Sequence, residues 1–267
     1  MTTLAMTDKS CSVIVARCRL YTFLGAVLRY PDLDLVEALR HKNSWDSLGR
    51  AASSLSLEYS PPLETLAFRE VGKSVEELSQ TYLKVFGASP RGRVTPYECE
   101  YGNKEVFQLA GELSDISAFY HAFGMQAGGQ ARERIDHIAA ECEFMALLCA
   151  RELTSVLDHE PVEMLSGIRD AQKKFLREHL GQWGVAFAHQ LRAADSEGVY
   201  GAVASLLEAV LINDCILLNV PRGSAYLPLR DVPQADDPGN CMSCGKAEGV
   251  PGADQESLPC GSNLTDG

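Results

Sequence analysis

Apolar residues recur at helical spacing along most of this chain, and that periodicity limits what it can fold into more than any other feature. Ile14, Cys18, Tyr21, Leu24 and Leu28 follow at steps of four, three, three and four, which places them on one face of a helix that stops at Pro31. Ile135, Ile138, Cys142, Met145 and Cys149 alternate steps of three and four and mark a buried seam in a helix expected over 131–157. Further helices are expected over 32–40, 44–57, 63–86, 104–123, 162–180, 182–194 and 199–219, separated by Pro61 and Pro62, by Gly87, Gly124, Gly128 and Gly129, by Gly181 and by the turn at 195–198. No run of alternating apolar and polar residues bounded by hairpin turns interrupts them. The expected class is all-α, a single-domain helical bundle over residues 1–230.

Beyond residue 230 the character changes. The last 37 residues hold six Gly, four Pro, seven acids and one Lys, a net charge of −6 and half of the chain's total of −12. Too little apolar surface remains there to offset the entropy of ordering, so 231–267 reads as a flexible acidic tail. The acidic balance, 36 Asp+Glu against 24 Lys+Arg, repels phosphate backbones, and no basic helix face offsets it. Nucleic acid is therefore not an expected partner. Arg17 and Arg19 interrupt the first apolar stretch, which leaves no signal-peptide core, and no segment offers about 18 uninterrupted apolar residues to span a membrane. The expectation is a cytoplasmic protein without stable membrane insertion. Five of the nine cysteines (Cys11, Cys18, Cys142, Cys149, Cys215) fall within helical apolar patterns, as suits thiols in a reducing compartment.

Three constellations carry chemistry. The segment 87–103, GASPRGRVTPYECEYGN, has three Gly and two Pro in 17 residues and no sustained period, so it is expected as an ordered loop. Its Pro96, Tyr97, Glu98, Cys99, Glu100 and Tyr101 put aromatic faces beside carboxylates, which either grip an extended peptide or anchor the loop on the helices. The second is Asp136 and His137, which lie off the apolar stripe, with Glu133 and Glu141 four residues to either side of His137. Such a cluster raises the histidine toward its charged form and presents an acidic surface to cationic side chains; the alternative is an ordinary solvated helix face. The third is Cys241 and Cys244, two residues apart before a Gly, with Cys260 after 15 more residues. These are candidate ligands for zinc or an iron–sulfur cluster, but the tail supplies no fourth His or Cys, so an idle or redox-labile tail stands beside that reading. No Gly-x-x-x-x-Gly-Lys-Ser/Thr loop supports a nucleotide enzyme.

Taken in order, VTPYECEYG, RERIDHIAAECEFMALL and FLREHLGQWGVAFAHQL resemble the TorD/DmsD/NarJ family of redox-enzyme maturation chaperones over roughly residues 11–219. The resemblance implies an all-helical, cytoplasmic, non-enzymatic chaperone that needs no cofactor of its own. It implies as partner the apo form of a molybdenum-containing oxidoreductase, bound through its N-terminal leader, often a twin-arginine signal peptide, and held until cofactor is inserted and checked before export. Either a monomer or a dimer fits it. Pro96, Tyr97, Glu98 and Tyr101 match the family's Pro-Tyr-Glu loop, Asp136 and His137 its Asp-His motif, with Glu141 beside them, and Trp183 and Phe187 its structural aromatic positions. Cys99 stands where the family often has Ser, and the cysteine tail lies outside its core. That tail leaves a metal- or redox-sensing regulator as the alternative function.

Overall fold

The structure, a computed structural model, describes residues 2–60, 73–89, 92–103, 106–125 and 133–230, without the side chains of 2–9, 106 and 107. The tail from 231 and the first part of the helix expected over 63–86 lie outside the described residues. In chain order the helices are α1 (Thr2–Leu28), α2 (Leu33–Arg40), α3 (Lys42–Ser54), α4 (Val75–Phe86), α5 (Val106–Ala122), α6 (Ile138–Leu157), α7 (Val162–Glu178), α8 (Leu180–Ala194) and α9 (Val199–Leu217). Among the described residues there is no strand, just two isolated antiparallel bridges, Tyr97 with His137 and Tyr101 with Leu229.

Local chemistry sets the helix ends. Asp32 caps α2, its side chain accepting from the Leu35 N–H at 2.9 Å, and Ser74 and Glu77 form a reciprocal capping box at the start of α4. Gly87 ends α4 at φ 77°, a left-handed conformation that favours glycine. The α1 stripe faces inward as its spacing predicts: Ile14, Tyr21, Leu24 and Leu28 are buried.

α6 is the central helix. It packs against α1, α7 and α8, and it buries Phe144, Ala146 and Leu148 as well as the stripe residues Ile138, Cys142, Met145 and Cys149. Its first turns are buried on nearly every side, which leaves the polar residues there no solvent face, and this governs the site below. α8 and α9 form a second close pair. A Cβ on Gly184 would lie 2.7 Å from Leu211 Cδ1, so a side chain at 184 would have to displace that leucine.

Ser10–Leu28 and Val199–Leu217, each of mean hydropathy 1.5, are long and apolar enough by composition to cross a membrane. In the bundle they are core helices joined through charge. Arg17 of α1 donates to Asp214 of α9 through Nε (2.9 and 3.0 Å) and Nη2 (2.8 Å), and the Tyr21 hydroxyl donates to the same carboxylate at 2.9 Å. Gln172 of α7 accepts from Arg17 at 2.7 Å and donates to Glu152 of α6 at 2.8 Å, and Glu152 also takes Arg169 at 2.7 Å. Four helices thus meet in one buried polar knot whose geometry is satisfied in a single register.

Removing one partner from a buried ion pair leaves the other charge uncompensated, which typically costs about 3–5 kcal/mol, whereas replacing both by apolar groups is often close to neutral. Asp214→Ala is therefore expected to lower unfolding stability by about that amount, and Arg17→Met combined with Asp214→Leu to recover most of it. Urea denaturation of the single and double variants checks this, and a double variant less stable than either single one contradicts it.

Candidate functional site

The described residues of the 87–103 loop are held by backbone contacts before any side chain contributes. Val94 N–H donates to Val85 O at 3.2 Å, and Gly92 sits so close to the end of α4 that a Cβ there would fall 1.7 Å from the Phe86 carbonyl oxygen. Glu98–Glu100 form a single 3-10 turn, with Tyr101 N–H donating to Glu98 O at 2.9 Å. The loop is clipped to the residues before α6 twice: Ile138 N–H donates to Pro96 O and Glu98 N–H to Asp136 O, each at 2.9 Å. On its far side the segment after α9 straps it down, Gly102 N–H donating to Pro228 O and Arg230 N–H to Glu100 O, each at 2.8 Å.

Asp136 holds this arrangement from within. Its carboxylate accepts a bidentate pair from Arg134 (Nε at 3.0 Å, Nη2 at 2.8 Å) and the Cys99 N–H at 3.1 Å. Arg134 also reaches Glu100 at 3.2 Å and lies 4.5 Å from the centre of the Tyr97 ring, a cation–π stack. Glu100 is met from the other side by Arg230 at 3.3 Å.

The expectation of a charged His137 on an acidic helix surface is overturned. Asp136 and His137 precede α6 rather than lie on it, and Asp136, His137 and Glu141 have no exposed surface. His137 is the N-cap: its Nδ1 accepts from the Ala139 N–H at 3.1 Å, which leaves the proton on Nε2. Burial, aided by Arg134, pushes its pKa down to about 3, so the ring is neutral. Glu133 Oε2 is the nearest anion to Nε2, at 3.9 Å, beyond hydrogen-bond reach.

Behind the loop runs a second chain of polar groups. Burial, then the neighbouring Glu98 carboxylate, hold Glu141 protonated well above the usual carboxylate range. Glu141 Oε2 accepts from Trp183 Nε1 at 3.0 Å; Oε1 meets no donor, and once protonated it donates to Glu98 instead. His179, at the α7–α8 junction, places Nδ1 at 3.2 Å from Glu98 and Nε2 at 3.1 Å from Asp115 of α5. Burial alone would lower the His179 pKa, but hydrogen bonding and charge from Glu98 and then Asp115 outweigh it, and the net shift is upward.

The predicted residues are therefore brought together, but mostly below the surface. Pro96, Glu98, Tyr101, Asp136, His137 and Glu141 are buried, and Tyr97 is half-buried. Tyr97 is the predicted site residue that borders open space, together with Pro96 at its edge. A cleft of about 290 Å³ is lined by Tyr30, Tyr82, Leu83, Phe86, residues 87–89, Pro96, Tyr97 and Glu133. The Tyr97 hydroxyl donates to Glu133 Oε2 at 3.1 Å, and Tyr30 and Tyr82 meet edge to face at 5.3 Å. A separate apolar hollow of about 350 Å³ lies between α1, α2 and α3, walled by Phe23, Leu35, Leu39, Trp45 and Leu48. None of the predicted site residues borders it.

The sequence profile of the nitrate reductase delta subunit matches residues 54–189, which takes in the loop, the Asp-His motif and most of α8. The chain belongs to that family. Among similar proteins, the selenate reductase assembly chaperone of Thauera selenatis is 35% identical over 136 residues, 50% of this chain and 68% of that one. The chlorate reductase assembly chaperone of Ideonella dechloratans is 31% identical over 177 residues, 66% of this chain and 77% of that one. The chaperone protein TorD of Photobacterium profundum is 27% identical over 200 residues, 74% of this chain and 81% of that one. All three relatives are named as chaperones, two of them for the assembly of a reductase.

Cys241, Cys244 and Cys260 lie outside the described residues. Among the described ones no group of three or more His, Cys, Asp or Glu side chains is arranged to hold a metal ion. Cys99, which stands where the family often has Ser, is fully buried, and burial together with Asp136 pushes its thiol up, so it is a neutral thiol. Trp183 and Phe187 are structural as expected, both buried, with rings 5.5 Å apart. Arg134, Arg230, Asp115 and His179 were not foreseen. His179 carries no signal beyond its place in FLREHLGQW, and Arg134 none beyond its place in RERIDH.

His137 yields a signed prediction. Its folded-state pKa lies below its unfolded value of about 6.5, so the folded protein binds fewer protons than the unfolded chain between pH 6.5 and 3 and loses stability as pH falls through that window. His137→Asn, which keeps a capping side chain, is expected to flatten that loss, which for wild type has a slope of up to about 1.4 kcal/mol per pH unit. Denaturant unfolding at several pH values measures it; parallel wild-type and variant curves would contradict the neutral cap.

Proposed function

We propose that this protein is a system-specific chaperone that binds the N-terminal leader, often a twin-arginine signal peptide, of a molybdenum-containing oxidoreductase in the cytoplasm. On this reading it holds the apoenzyme while cofactor is inserted and checked before export, and it needs no cofactor itself. Family membership and the assembly-chaperone names of its relatives support the class of role. The observation that supports the site is the cleft of three tyrosines and one acid at the Pro96–Tyr97 corner.

The chemistry of the cleft suits a cationic and apolar segment. Tyr97 already carries one guanidinium, that of Arg134, on a ring face, so its environment tolerates stacked cations. Glu133 supplies an acceptor at the cleft wall, and Leu83 and Phe86 supply apolar lining. Glu98, Asp136, His137 and Glu141 act one layer behind, fixing the backbone that carries Tyr97. Zinc or iron bound by Cys241, Cys244 and Cys260 stands as a separate proposal on their spacing, and metal analysis of purified protein decides it.

Isothermal titration against synthetic leader peptides of molybdoenzymes encoded in the same genome tests the reading. Tyr97→Ala and Glu133→Gln are each expected to weaken the tightest leader about tenfold, roughly 1.4 kcal/mol, with helicity unchanged. Glu98→Ala and Asp136→Ala are expected to lose both affinity and thermal stability. Wild-type affinity in both cleft variants would sink the site assignment.

A further inference from the structure

Outside the cleft, the group with the least ordinary surroundings is His179. It is 3% exposed, yet both ring nitrogens face carboxylate oxygens, Nδ1 toward Glu98 at 3.2 and 3.3 Å and Nε2 toward Asp115 at 3.1 Å. A neutral imidazole has one N–H and one lone pair, so it would aim that lone pair at one of the two carboxylates. An imidazolium donates to both. The geometry of two flanking acids therefore selects the charged ring at a site where burial alone would select the neutral one.

The position of this ring ties it to the peptide cleft. Glu98 is the residue after Tyr97, and its own N–H is fixed to Asp136 O, so its side chain and backbone anchor the corner on which the Tyr97 ring stands. Asp115 belongs to α5, and His179 joins α7 to α8. One ring thus connects the loop to three helices. Phe119 and Phe175 pack on it at 5.5 and 5.1 Å between ring centres and shield it from water.

We propose that His179, as an imidazolium bridging Glu98 and Asp115, is a positioning residue for the Tyr97 cleft, and that its loss of a proton as pH rises weakens binding of the client segment. The proposal rests on the cleft being the client-binding site. The charged and titratable groups around the ring agree with it. The 3-10 turn contributes Glu98; α5 contributes Asp115 and, one turn earlier, Glu112, which sits by Cys99. α6 contributes Glu141, neutral and hydrogen-bonded to Glu98, and α8 reaches the group through Trp183 on Glu141. α7 contributes Lys174, over the Phe119 ring, and Arg177 and Glu178, which pair with each other. His179 has a folded pKa raised above its unfolded value, so its contribution is fully present below about pH 6.5 and is lost as pH rises through the folded value.

The test combines two measurements on the full-length protein: the His179 imidazole titrated by NMR, and affinity for the tightest-binding leader peptide of the panel from pH 6 to 9. Expected are an imidazole midpoint above 6.5 and an affinity that falls severalfold across the same midpoint. Asp115→Asn removes a half-exposed negative charge with little risk to folding, and it should move both midpoints down together by about one pH unit. His179→Asn should give a weak, flat pH profile, and its melting curve reports whether it folds. A raised imidazole midpoint with affinity flat in pH overturns the positioning role, and a midpoint at or below 6.5 overturns the imidazolium. If no leader binds wild type at any pH, the cleft reading fails and the positioning role fails with it, while the imidazole titration still decides the bridge.

Discussion

Four carboxyl groups, those of Glu98, Glu100, Asp136 and Glu141, are buried around the start of α6, and the structure of the loop depends on how their charge is balanced. Isolated carboxylates in such a place would be strongly destabilising, so each has to be paired or neutralised. Asp136 takes Arg134, Glu100 takes Arg134 and Arg230, and Glu98 takes His179. Glu141 keeps its proton instead. These partners come from different stretches of chain, so satisfying the acids fixes the loop, the residues before α6, the α7–α8 junction and the segment after α9 at once. The N-terminal end of α6 adds its own favourable field for negative charge.

This explains why a segment rich in Gly and Pro is ordered. It buries Val94, Pro96, Cys99 and Tyr101, its backbone is bonded to the 136–138 stretch on one side and to 228–230 on the other, and every buried acid it carries has a partner. Tyr97 consequently stands on a rigid base with one ring face taken by Arg134 and its hydroxyl held by Glu133. On the proposed reading, a corner ordered in advance loses less entropy when a flexible peptide docks, which is what would join the buried polar layer to the cleft. The Arg17–Asp214 knot serves the other part of the bundle in the same way, by making one helix register electrostatically consistent.

The helices were legible because their apolar period is long and their stops are Gly, Pro and good caps. The loop and the Asp-His pair were legible as a location, but their depth was not. Off-stripe residues were expected to face water, an inference that holds for a helix with one buried face. The first turns of α6 are buried on nearly every side, and Asp136 and His137 precede them, so neither condition for that inference was met. Their partners were hidden for a different reason. Arg134, Asp115, His179 and Arg230 reach the site from 2 to 130 residues away in sequence, and no spacing rule links an acid at 98 to a histidine at 179. Long-range pairing of buried charge is written in three dimensions alone.

The three titrating groups of this layer pull stability in opposite directions. His137, neutral when folded, takes stability away as acid protonates the unfolded chain below about pH 6.5. Glu141 keeps a proton that the unfolded chain gives up above about pH 4.5, so its preference favours the folded state at lower pH and fades as pH rises toward its folded value. His179 acts with the sign of Glu141 and fades through its own raised value. Acid therefore attacks the cap of α6 while base attacks the bridge between Glu98 and Asp115. Both ends of the same loop anchor are sound together in the interval where His137 has shed its proton and His179 has kept its own, and that interval exists because one histidine was buried without a hydrogen-bonded carboxylate and the other between two.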